Sequence, residues 1–134
     1  MKYSGVFSIV VGLLMIGQWG FFLAVGAVPE LRTEPLRIAL HLAAEFLTAV
    51  CLVMGGVAAL RGAGWARWFS LVAAGMLAYT VVVSPGYFAQ QGQWPLVGMF
   101  ALLLALDLVN IAKLARPLDI LPGGKHFLAP GRQR

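Results

Sequence analysis

Residues 36–60, LRIALHLAAEFLTAVCLVMGGVAAL, constrain the chain more than any other stretch. They form an almost wholly apolar run of 25 residues. At about 1.5 Å per residue, a helix of that length crosses a bilayer whose hydrocarbon core is about 30 Å thick. His41 and Glu45 lie inside it one turn apart, with Thr48 a further turn along the same face. An ionisable side chain inside a span costs about 3 kcal/mol on insertion scales, so it is expected to face protein and to have a partner.

Three more apolar runs follow the same logic, at 5–28, 65–84 and 96–114. Charged residues make up 11% of the 134-residue chain, against about a quarter in soluble domains, and the mean hydropathy is +0.86. The expected fold is all-α, a bundle of four transmembrane helices over 1–116 with a basic, Pro/Gly-rich cytoplasmic tail over 117–134. Four spans with short loops nearly exhaust this length and leave no room for a separate soluble catalytic domain. Met1 and Lys2 before an apolar run resemble a signal peptide, but the run is longer than a signal core of about 7–15 residues, and it reads as a retained first span.

The net charge of +5 does not call for nucleic acid, because the basic residues gather at span ends. Eight of the ten Lys and Arg fall on one side of the expected topology, leaving Arg32 and Arg37 on the other. That bias puts both termini in the cytoplasm, in an inner membrane of the bacterial kind. Two prolines and three charged residues make 29–35 a surface loop. Residues 84–95, SPGYFAQQGQWP, read as an uncharged aromatic and amide-rich loop. Gly12, Ile16 and Gly20 form a stripe in the first span that predicts a close helix neighbour. The single cysteine, Cys51, reads as a small buried apolar residue.

Depth along each span places His41, Glu45, Tyr79 and Thr80 in the outer half of the bilayer and Gln18 near its centre. Asp107 and Asn110 fall at the centre or slightly to the cytoplasmic side. A pocket built from all four spans would then contain His41, Glu45, Asp107, Gln18, Tyr79 and Asn110. A His and a carboxylate one turn apart can hold a transition metal, so His41 and Glu45 are candidate metal ligands with Asp107 a possible third. The same set suits proton transfer, or the polar head of a lipophilic ligand such as a quinone. A purely structural reading competes: Glu45 bonding His41 or Tyr79 to fix helix register, and Asp107 pairing with Asn110 or Gln18. No catalytic residue is identified, since Ser84 and Cys51 lack an evident activating base.

Leu36, Arg37, His41, Glu45 and the pair Gly55-Gly56 resemble the pattern opening the second span of DoxX-like proteins, a group of small four-span bacterial membrane proteins. The resemblance covers mainly the first two spans. It implies an accessory or quinone-proximal role, since members have been linked to quinone-coupled sulfur oxidation and to redox complexes. The leading expectation is a ligand-binding or accessory component of a redox or quinone-linked system. Its partners would be the bilayer, a lipophilic small molecule, and a larger membrane complex or further copies of the chain. An acid–base enzyme acting on a lipophilic substrate through Glu45 and Asp107 is the alternative, followed by a metal or proton transport component.

Overall fold

A computed structural model describes residues 1–116; the tail expected over 117–134 lies outside the described residues. The regular structure is helical: α1 (Lys2–Ala24), α2 (Glu30–Thr33), α3 (Pro35–Leu60), α4 (Ala66–Gln90) and α5 (Trp94–Ala115). The four long helices are each long and apolar enough to span a membrane. The molecule is a multi-pass membrane protein built as a four-helix transmembrane bundle.

Each of the first three long helices ends the same way. Gly26, Gly62 and Gly92 take φ values of 67°, 72° and 70°, the left-handed region that glycine enters without steric cost. The amide after each glycine then donates to the carbonyl five residues back: Ala27 to Phe22, Ala63 to Ala58 and Gln93 to Phe88, at 2.9–3.0 Å. This double-bonded cap satisfies carbonyls that would otherwise be orphaned at the helix end. Pro35 and Pro95 open α3 and α5 in the first turn, where a missing N–H costs nothing.

Neighbours in sequence are neighbours in space: α1 packs on α3, α3 on α4 and α4 on α5, while α5 closes more lightly onto α1. Helices α3 and α5 stand diagonally opposite, with no close backbone approach among the described residues. One end of the bundle carries Lys2, Arg61, Arg67, Lys113 and Arg116. At this basic end Arg67 donates through Nε to the Leu114 carbonyl at 2.7 Å and through a second nitrogen to the Arg116 carbonyl. Lys113 Nζ sits 3.8 Å from the Tyr3 ring centroid, tying the start of α1 to the end of α5. At the opposite end the Tyr87 hydroxyl donates to Glu30 at 2.9 Å.

Lipid tails offer helices no hydrophobic reason to associate, so close packing of small residues decides the contacts. A Cβ on Gly56 would stand 2.6 Å from the Gly5 carbonyl oxygen, and one on Gly12 would stand 2.7 Å from the Ala49 carbonyl oxygen. The α1–α3 seam therefore runs through Gly5, Gly12 and Gly56. The expected Gly12–Ile16–Gly20 stripe is corrected in part, because a Cβ on Gly20 would touch nothing. Across the other face of α3, Gly55 lies against Ser70 and Phe69 of α4.

The expected loop over 84–95 is also corrected. Helix α4 continues through Pro85 to Gln90, and the turn shrinks to three residues before Trp94. Proline removes one intrahelical bond, but the last turn is held from outside. Phe88 stacks on Phe100 at 5.6 Å, and Tyr87 reaches Glu30. The first span begins at Lys2 and stops at Ala24, short of Val28, because the cap at Gly26 ends it. The second keeps its expected course to Leu60.

Candidate functional site

Glu45 is buried on the face of α3 that meets α1, against Trp19. The Trp19 indole N–H donates to Glu45 Oε2 at 3.4 Å. The indole also meets the His41 ring edge-on at 5.6 Å, and the Phe22 ring at 6.0 Å. His41 Nε2 stands 3.9 Å from Glu45 Oε1, beyond hydrogen-bond range. That Oε1 is buried with no hydrogen-bond partner among the described residues. The His41 side chain is 35% exposed, so the buried carboxylate has a partly open imidazole beside it. The free carboxylate oxygen can accept a hydrogen bond from a ligand hydroxyl.

His41, Ala44 and Thr48 share a stripe of α3, at steps of three and four residues. Between α3 and α4 an open groove of about 450 Å³ is lined by Ala44, Leu47, Thr48, Gly75, Met76 and Tyr79, among others, and His41, Glu45 and Trp19 lie outside its lining. The polar groups nearest to it are self-satisfied. Thr48 donates to the Ala44 carbonyl at 2.8 Å and Thr80 to the Leu77 carbonyl at 3.0 Å.

The pocket of six expected from depth alone divides in the structure. His41 and Glu45 come together as the spacing predicts, and Tyr79 lines the groove while remaining 69% exposed. Tyr79 is not the group that bonds Glu45; Trp19 is. Gln18 is half-buried on α1, outside the contacts joining Trp19, His41 and Glu45. Asp107 and Asn110 are fully buried on α5, which is diagonal to α3, and no hydrogen bond or ion pair joins them to Glu45. Among the described residues no third His, Cys, Asp or Glu joins His41 and Glu45 to make a metal cluster, so Asp107 does not serve as the third ligand.

Trp19 is the residue that sequence reasoning missed. An indole N–H packed into the bundle needs an acceptor there, but the sequence does not say on which helix that acceptor lies. Ser8 and Ser70, both 1% exposed, were missed as well.

These features define a small four-span membrane protein with a partly open carboxylate–imidazole–indole cluster between α1 and α3 and a separate apolar groove between α3 and α4. The chain belongs to the family described as Domain of unknown function (DUF8058), whose model matches residues 1–117. No curated protein and no solved structure gives a match to the chain.

Proposed function

We propose that the protein binds a lipophilic small molecule with a polar head, a quinone in its reduced, hydroxyl-bearing form being the leading candidate. In this reading it serves as a ligand-binding or accessory component of a redox or quinone-linked membrane system. The observation that carries the reading is the unpartnered, buried Oε1 of Glu45 beside a part-exposed His41. A buried carboxylate oxygen without a donor is costly in a structural role, whereas a ligand's hydroxyl would complete it. The DoxX-like pattern of Leu36, Arg37, His41, Glu45 and Gly55-Gly56 points the same way.

The orientation belongs to the same proposal. Lys2, Arg61, Arg67, Lys113 and Arg116 share one end of the bundle, against Arg32 and Arg37 at the other. By the positive-inside bias, the basic end and the N-terminus face the cytoplasm, and the His41–Glu45 site lies in the outer half of an inner membrane.

Native mass spectrometry of mildly solubilised protein, with lipid extraction and metal analysis on the same sample, tests the reading. The expected result is a substoichiometric to stoichiometric lipophilic adduct that is lost from Glu45→Gln while the protein stays folded. A ligand-free mass that stays ligand-free after incubation with decylubiquinol under reducing conditions would refute it. So would an adduct retained equally by Glu45→Gln.

A further inference from the structure

The basic end of the bundle concentrates its charge in one corner. Lys113 Nζ lies 3.8 Å from the Tyr3 ring centroid, so the last turn of α5 touches the first turn of α1, where Lys2 precedes that tyrosine. Arg67 donates to the carbonyls of Leu114 and Arg116, which sets the start of α4 against the same stretch of α5. These contacts gather Lys2, Arg67, Lys113 and Arg116 around the closing turn of α5. Among the described residues no ion pair reaches any of the four. Glu34 pairs with Arg37 and Glu30 accepts from Tyr87 at the opposite end, while Glu45 and Asp107 are buried inside the spans.

Arg67 is committed to backbone carbonyls, but Lys2, Lys113 and Arg116 are exposed, and three exposed cations with no acid beside them attract an anion. Membrane orientation calls only for basic residues on one side and does not require them to meet. An apolar strip runs into the membrane from this corner. From Tyr3, steps of four, three and four along α1 reach Phe7, Val10 and Leu14. From Lys113, the same steps back along α5 reach Val109, Leu106 and Leu102. Val10, Leu14 and the three α5 residues are exposed, and α5 closes only lightly onto α1.

We propose that this corner holds the phosphate of an anionic phospholipid on Lys2, Lys113 and Arg116, with its acyl chains along the α1–α5 strip. Basic clefts between transmembrane helices take such headgroups. A lipid matches both halves of the surface, negative charge at the membrane edge and hydrocarbon below it. A soluble anion matches only the first. The surface lies at the other end of the bundle from the His41–Glu45 cluster and stands or falls without a ligand there.

Native mass spectrometry of the full chain in detergent tests this by titration with dioleoylphosphatidylglycerol or dioleoylphosphatidylcholine, which share their chains and differ in headgroup charge. Phosphatidylglycerol is expected to half-saturate at a concentration at least about tenfold below phosphatidylcholine. Lys113→Gln is expected to raise the phosphatidylglycerol midpoint about fivefold, equivalent to about 1 kcal/mol, and to leave the phosphatidylcholine midpoint unchanged. Arg116→Gln keeps the carbonyl that Arg67 bonds, is expected to act in the same way, and stands in if Lys113→Gln does not fold. Arg32→Gln, at the opposite end, is expected to change neither midpoint. Equal affinity for the two lipids overturns the proposal. So does a preference for phosphatidylglycerol that survives both Lys113→Gln and Arg116→Gln, or one that Arg32→Gln weakens as much. Displacement of phosphatidylglycerol by millimolar inorganic phosphate would assign the corner to a free anion and overturns it as well.

Discussion

At the scale of single residues, Glu45 is held on one side only. Trp19 donates to Oε2, and Oε1 has no hydrogen-bond partner among the described residues. Glu45→Gln keeps an acceptor for the indole, so its unfolding free energy in mixed micelles is expected to stay within about 1 kcal/mol of the parent, the usual size of a membrane hydrogen bond. A larger loss, or failure to insert, would assign Glu45 to structure. Arg67 has the opposite character. It caps two carbonyls at the end of α5, and Arg67→Gln is expected to cost about 1–2 kcal/mol in the same assay without altering ligand retention. The pairing of His41 with Glu45 was legible because a step of four residues on a helix is a contact. The indole was not, because it arrives from another helix and only the docking of α1 on α3 brings it there.

At the scale of elements, the α1–α3 seam depends on backbone contact at Gly5, Gly12 and Gly56. Gly56→Val should separate the two helices and destabilise the bundle by about 1–3 kcal/mol in steric-trap or detergent unfolding. Gly20→Ala meets open space and should be neutral or stabilising by up to about 1 kcal/mol. If the two substitutions behaved alike, the seam would be misplaced. Hydropathy alone revealed the number and approximate position of the spans, because a bilayer demands about 20 apolar residues in each. The rotation of α1 was hidden, since Gly12 is compatible with a stripe running through Gly5 or through Gly20, and only the partner chooses. The end of α4 was hidden too. Pro85 and the glycines around it read as a break, yet Phe88 on Phe100 and Tyr87 on Glu30 hold the last turn in helix.

At the scale of the whole molecule, the bundle sorts its buried polar groups by end. The carboxylate of α3 faces α1 toward one membrane surface, and Asp107 with Asn110 lies on the diagonal helix nearer the basic end. Depth along each span is readable from sequence, but the lateral placement that divides one expected pocket into two is a property of the assembled helices. The proposed topology makes a plain prediction: a C-terminal phosphatase reporter is inactive and a C-terminal fluorescent reporter is bright, and the reverse pattern would invert the molecule in the membrane. The central claim is a ligand at Glu45, and Trp19 is a built-in probe of it. The most direct measurement is fluorescence of protein in which Trp65, Trp68 and Trp94 are replaced by Phe, titrated under reducing conditions with decylubiquinol, whose hydroxyl can donate to Glu45 Oε1. The account predicts saturable quenching of Trp19, with the midpoint raised at least about tenfold by Glu45→Gln, the loss of one charge-assisted hydrogen bond. Quenching that rises linearly without saturation, or a midpoint that Glu45→Gln leaves unchanged, would contradict it.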